Sequence, residues 1–186
     1  MALKFLGVIV AIGVMSGCSL TPLPKLSPTK QAQRIDALTR MLQELSPMVN
    51  PQEAQDLAKT AVLRAKELGK SYEVVSPPLW HNMLVNIGVK RRGLCYHYSE
   101  DMLRLFLKKK YTTFEFYMVG ANIGEYFEHN AIVVSAKKES YKEGIVLDAW
   151  RNSGNLFFDK VLSDKKYEWK NRATLYQSIT YKLRHK

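Results

Sequence analysis

A chain of 186 residues with only two cysteines, Cys18 and Cys95, holds at most one disulfide. It has no paired Cys-x-x-Cys, no His-Glu-x-x-His, no acidic calcium loop and no glycine-rich phosphate loop. No metal and no cofactor are therefore expected. There is no internal repeat, and no second hydrophobic run follows the one that opens the chain. Acidic side chains are scarce, with 17 Asp and Glu against 28 Lys and Arg and a formal charge of +11. In the cytoplasm such a balance raises nucleic acid as a partner. The basic stretch Lys108-Lys109-Lys110 lacks the interleaved aromatics of a single-strand-binding surface. It suits the end of a helix instead, where cations oppose the negative end of the macrodipole.

What the chain does have begins with a leader. Residues 1–17 carry one cation (Lys4), an apolar run from Phe5 to Met15, then Ser16 and Gly17 before Cys18. That is the order of an export signal, and the run is too short to span a bilayer comfortably. Met15-Ser16-Gly17-Cys18 resembles the bacterial lipobox, whose cysteine is diacylated and becomes the mature N-terminus; Met15 stands where leucine is usual. The resemblance implies a lipid anchor at Cys18 and hence a membrane surface as a partner. Ser19, rather than aspartate, follows the cysteine, which by similarity to sorting in diderm bacteria implies the outer membrane, facing the periplasm. An ordinary signal peptide that happens to contain a cysteine is the alternative. Loss of the leader removes Lys4 alone and takes the formal charge from +11 to +10. An exported basic protein meets anionic lipid and wall polymer, so nucleic acid is not expected as its partner.

Residues 19–30 (SLTPLPKLSPTK) contain three prolines and read as an extended tether. The expected organisation is a signal peptide at 1–17, a lipidated tether at 18–30 and a single domain at 31–186, long enough for a real core. With Cys18 acylated, Cys95 has no partner within the chain. A Cys18–Cys95 disulfide requires the lipobox reading to be wrong.

Within 31–186 the period of the apolar residues changes once. Ile35, Leu38, Leu42 and Leu45 lie at helical spacing over 31–45. Asn50-Pro51-Gln52-Glu53 predicts a second helix, capped by Asn50 with Glu53 as box partner, running to Leu68 and stopping at Gly69. A short third helix is predicted after Ser76-Pro77-Pro78, ending near Gly88. A fourth starts at Leu94 or Cys95, after Gly93, and runs to about Lys109 with Met102, Leu103, Phe106 and Leu107 as its buried stripe. Then a period of two sets in at 113–119, 129–135 and 144–150, with the charged turn AKKESYKE before the last of these. Segments 155–158 and 174–183 are predicted as further strands. Helices followed by antiparallel strands make an α+β domain.

Three residues in this framework point to one chemistry. A thiol becomes a good nucleophile as thiolate, which a helix N-terminus or a nearby imidazolium favours. Cys95 stands at such a helix start, where first-turn N–H groups can also meet an oxyanion. His97 is two residues along the same helix and turned about 200° away, so the base must come from elsewhere. His129 opens one strand and Asp148 ends the next. A hairpin turning near 139 or 140 brings the two within two or three positions of being opposite. The carboxylate then orients the imidazole. Taken singly, each has an ordinary explanation: a small buried hydrophobe, a turn histidine, a strand-ending aspartate.

Together, the strings GLCYHYSEDMLRL, EHNAIVV and VLDAW resemble the nucleophile helix, histidine strand and aspartate strand of the transglutaminase-like branch of the papain-like cysteine enzymes. The resemblance covers about residues 75–155 in the family's order. It implies a nucleophile helix packed on an antiparallel sheet, and acyl-enzyme chemistry on amide or ester carbonyls. Cys95 is then nucleophile, His129 general base and acid, and Asp148 its orienter. The chain departs from the pattern in three places. Asn130-Ala131 follow the histidine where an aromatic is common, Ala149 replaces a proline, and the papain-type glutamine is missing from IGVKRRGL. The oxyanion donor is therefore sought among Trp80, His81, Asn82 and Asn86, with Asn82 and His81 preferred because they can donate. The implied substrate is a peptide or protein of the cell envelope, and residues 120–128 are expected to line its groove. The alternative is a non-catalytic envelope module that keeps the fold for binding or assembly; a third reading is a structural lipoprotein with an inert buried thiol.

Overall fold

A computed structural model describes residues 26–184. The leader, Cys18 and most of the tether lie outside the described residues. The described chain is α+β, with five α-helices and a five-stranded antiparallel sheet.

The first helix, α1 (Pro28–Gln43), begins earlier than the sequence suggested. Ser27 and Pro28, taken as the end of the tether, are its cap and first residue. Ser27 Oγ accepts from Lys30 N at 3.2 Å, and proline fits a first position whose N–H has no intrahelical partner. Helix α2 (Pro51–Ser71) is capped by Asn50, whose Oδ1 accepts from Gln52 N at 2.8 Å and Glu53 N at 3.1 Å. Glu53 does not close a capping box. Its carboxylate instead takes the amides of Thr112 and Thr113, at 2.8 and 2.9 Å, and both threonine hydroxyls. That ties the start of α2 to the start of the sheet. Gly69 does not stop the helix either, which runs two residues further. The missing Cβ there serves packing: Gly154 sits on it, and a Cβ added to Gly154 would lie 3.1 Å from Gly69 Cα.

Helix α3 (Pro78–Asn86) is short, and α4 (Cys95–Lys109) buries Met102, Leu103 and Phe106 as its spacing predicts. The strands are β1 (Phe114–Ala121), β2 (His129–Ala136), β3 (Ile145–Asp148), β4 (Phe157–Lys160) and β5 (Lys170–Asn171), in the order β4-β3-β2-β1-β5. β2 is buried along its whole length because both its faces are covered. Ile132 and Val134 face the larger core with Leu147, Ile145, Met118 and the helices. Ala131 and Val133 face a smaller one with Val119, Val146, Val161 and Trp169. α4 packs across β2 and β3 on the larger-core side.

The strand expected at 174–183 is a helix, α5 (Ala173–Arg184). Thr174, Ile179 and Thr180 are β-branched and argue locally for a strand. Leu175, Tyr176, Ile179 and Leu183 nevertheless fall on one helical face, and that face reaches the larger core. The expected strand at 155–158 forms two residues later, because the turn after β3 holds the chain through Gly154 N donating to Ala149 O at 2.8 Å.

Gly154 has φ +94° and a methyl group there would be tight against Gly69 and Ala65, at 3.1 and 3.2 Å, whereas Gly88, with φ +78°, faces open space. Gly154→Ala is expected to lose about 1–3 kcal/mol in urea unfolding. Gly88→Ala should lose less, the difference being the Gly69 contact.

Candidate active site

The site is built at the N-terminus of α4. Gly93, with φ +123°, makes the turn into the helix, and a Cβ there would fall 2.2 Å from His81 Nε2. His81 is fully buried and fills that space. Its Nδ1 accepts from Val75 N at 3.3 Å, so Nε2 carries the proton and donates to Arg92 O at 2.9 Å. Nδ1 is thus committed to the segment before α3 and Nε2 to the loop before Cys95, and His81 has no donor left for an oxyanion.

His97 turns back on the same loop, its Nδ1 accepting from Gly93 N and Leu94 N at 3.2 Å each. Burial, then the Arg92 charge, lower its pKa, which keeps the ring neutral and able to accept. His97 N and Tyr98 N bond to Leu94 O. This leaves the N–H groups of Cys95 and Tyr96 as the first-turn amides without an intrahelical partner. Ser99 Oγ donates to Cys95 O at 3.0 Å and braces the backbone at Cys95.

His129 and Asp148 come together as the hairpin register requires. Ile132 pairs with Leu147 and Val134 with Ile145, so position 148 falls opposite Ala131, two residues from His129 and on the same face of the sheet. His129 Nε2 lies 2.7 Å from Asp148 Oδ2, with both side chains 3% exposed or less. Nδ1 is buried and has no hydrogen-bond partner among the described residues. Cys95 is close enough to raise the imidazole pKa. Burial by itself lowers the imidazole pKa. Asp148 and then Cys95 more than reverse this, moving it from 6.5 up to about 9. For Asp148, burial pushes the pKa up, but His129 and then Arg151 hold it below the usual carboxylate range. Both shifts favour the ionised pair, imidazolium and carboxylate.

The thiol has a second neighbour that the sequence did not single out. Asn130 Nδ2 lies 3.8 Å from Cys95 Sγ. Its orientation follows from its other bonds, since Oδ1 accepts from Arg172 at 2.7 Å and Nδ2 also reaches Glu128 Oε1 at 3.4 Å. Arg172 pairs with Glu128 as well, and Glu128 Oε2 takes Gly124 N at 2.9 Å. The loop at 122–127 is thereby tied to the thiol's neighbours, with Ile123, Tyr126 and Phe127 exposed. Cys95 itself is 9% exposed.

Around His129 stand Trp150, Tyr167 and Trp169, with ring centroids 4.7, 4.6 and 5.5 Å away. Asn82 Oδ1 accepts from Trp150 Nε1 at 2.9 Å, which ties it to the site through that indole. Arg151, three residues past Asp148, donates to it and to Asp164. Nearness to the histidine and aspartate was the signal for Asn130 and Arg151. Asp164, Tyr167, Trp169 and Arg172 lie beyond residue 155 with no motif to mark them. Among the described residues, no group of three His, Cys, Asp or Glu side chains is placed to hold a metal ion. No helix there is long and apolar enough to cross a membrane. No family model, curated protein or solved structure matches this chain.

Because the folded pKa of His129 is raised, the pair's contribution to stability is complete below about pH 6.5 and disappears as pH rises through about 9. The gap in melting temperature between wild type and His129→Gln should therefore narrow between pH 6 and pH 10. A gap that is flat or widens over that range would show the pair uncharged.

Proposed function

We propose that the chain is a cysteine hydrolase or acyltransferase with a transglutaminase-like, papain-like core, acting on a peptide or amide carbonyl in the cell envelope. One observation carries the proposal: a buried imidazole bonded to Asp148 through Nε2, with Nδ1 left for a thiol at a helix N-terminus. The order Cys95, His129, Asp148 and the α4–β2–β3 packing support it. The lipid anchor at Cys18 and the periplasmic side of the outer membrane belong to the same proposal and rest on the leader's composition.

In the proposed reaction the Cys95 thiolate attacks the carbonyl carbon and forms a C–S bond. The developing oxyanion is met by Cys95 N–H and by Asn130 Nδ2, which takes the place of the absent papain-type glutamine. His129 gives its proton to the departing amine or alcohol as the C–N or C–O bond breaks. Water or a second amine then attacks the acyl-enzyme and passes a proton back to His129. The C–S bond breaks and the thiolate returns. Trp150, Tyr167 and Trp169 keep water from the imidazole during these transfers. The exposed Ile123, Tyr126 and Phe127 form one wall for the acyl donor.

The small exposure of Cys95 favours a second reading, a binding module that keeps the fold without the chemistry. Iodoacetamide alkylation of Cys95 between pH 5 and 10, followed peptide by peptide to separate Cys18, distinguishes the two. Catalysis predicts fast alkylation already near pH 6, slowed by roughly tenfold or more in His129→Ala. A thiol that reacts only after unfolding, or equally well without His129, leaves the binding module.

A further inference from the structure

The Cys95–His129–Asp148 line does not end at Asp148. Asp148 Oδ1 accepts from Trp150 N at 3.1 Å and Arg151 N at 3.0 Å. Oδ2 is shared: His129 Nε2 lies 2.7 Å away and Arg151 Nε 3.0 Å away. The far end of the same guanidinium forks onto Asp164, Nη1 to Oδ1 at 3.1 Å and Nη2 to Oδ2 at 2.6 Å. Asp164 is held in turn by Trp169 Nε1 at 3.0 Å and Lys166 N at 3.1 Å. The Arg151 side chain is 8% exposed and that of Asp164 2%. The guanidinium lies 3.7 Å over the Phe157 ring and 4.9 Å from that of Tyr167. An arginine that served only to staple two loops would need one carboxylate. This one is placed on the very oxygen that His129 uses.

We propose that Arg151, clamped by Asp164, is a positioning residue of the site. It takes a share of Asp148 Oδ2 that would otherwise go wholly to His129, and so keeps the imidazolium able to release its proton. This rests on the thiol–imidazole reading above. A histidine facing an undivided buried carboxylate would hold its proton too tightly to pass it to a leaving group. Arg151 divides that carboxylate, and Asp164 in turn keeps the guanidinium's charge from bearing fully on the imidazole. The other groups facing His129 are Cys95 from α4, Trp150 after β3, and Tyr167 and Trp169 before β5. Glu128 next to it is paired with Arg172, and Lys166 lies over the Tyr167 ring.

The two ends of the clamp therefore have opposite effects on His129. Arg151→Gln removes the competing cation and leaves Asp148 and Asp164 both pressing on the imidazole. Asp164→Asn frees the full guanidinium charge toward it. In the full-length chain, exchange of the His129 C2 proton against pH, followed by mass spectrometry, reads the titration residue by residue. Its midpoint is expected to rise by about one unit in Arg151→Gln and to fall in Asp164→Asn. Since Arg151→Gln strands a buried carboxylate and can unfold, Arg151→Gln/Asp164→Asn removes the charges in balance. Its midpoint should still rise, by less, because Arg151 is the nearer charge. Midpoints that stay within about 0.3 unit of wild type in the folded double and Asp164→Asn variants, or that move the same way in both, overturn the proposal. A merely structural clamp would lower melting temperatures without this split in sign. Cys95 alkylation in the same samples keeps the two ideas apart. If His129→Ala leaves it unchanged, the acyl-transfer reading fails while the titration shifts still decide the role of Arg151.

Discussion

A carboxylate 1% exposed to solvent is the constraint around which this domain is organised. Moving an ion out of water costs several kcal/mol even after relaxation, and Asp148 is retained only because every one of its acceptor directions is used. Two backbone amides meet Oδ1, and an imidazole and a guanidinium meet Oδ2. Those partners dictate local structure. β3 stops at Asp148 so that the chain can bend and aim the Trp150 and Arg151 amides back at it. The bend closes with Gly154 against Gly69, which brings α2 into the arrangement. Charge alternates along the buried line from His129 through Asp148 and Arg151 to Asp164, so the interior holds four ionised groups with no net charge among them.

The thiol's position follows from where β2 begins. Successive residues of a strand point to opposite faces, so His129 and Asn130 cannot share one. Asn130 Nδ2 reaches Cys95 Sγ at 3.8 Å, while Cys95 raises the pKa of His129. A group near both neighbours sits at the strand's end, and Cys95 Sγ does, 4.0 Å from the Glu128 carbonyl that precedes the strand. The loop before α4 must be rigid to hold it there. His81 and His97 supply that rigidity, each spending ring nitrogens on the backbone between Val75 and Leu94. Of the four histidines in the chain, these two are structural because neutral rings bond the backbone well. His129 differs from them in having a carboxylate.

Local signals made much of this legible. Gly93 and the apolar stripe place α4 at its observed ends, and the hairpin turn near 139 or 140 brings His129 within two residues of the position opposite Asp148. The errors arose where local chemistry admitted two outcomes. Pro28 looked like linker because prolines preceded it, although Ser27 makes it a helix start. Gly69 looked like a helix stop because a glycine's packing partner, here Gly154, is 85 residues away and invisible locally. The last helix was hidden by β-branched residues whose tertiary contacts overrode their propensity. Within the site, nothing in the sequence tells that Val75 N and Arg92 O occupy the ring of His81, a candidate donor.

The recognisable strings end near residue 155, yet four of the side chains that complete the site come from beyond it. Tyr167 and Trp169 cover His129, Asp164 balances Arg151, and Arg172 aims Asn130 at the thiol. None belongs to a periodic element with a pattern of its own, and β5, which carries the chain past them, is two residues long. What specifies that segment is the unmet demand of the groups it covers. Arg151 needs a second anion once Asp148 is shared, Trp169 needs an acceptor for its indole, and Asp164 answers both. Cys95, His129 and Asp148 are thus enclosed by side chains drawn from residues 164–172. Burial, Asp148 and Cys95 act most strongly on the imidazole, and that shell fixes where those groups stand.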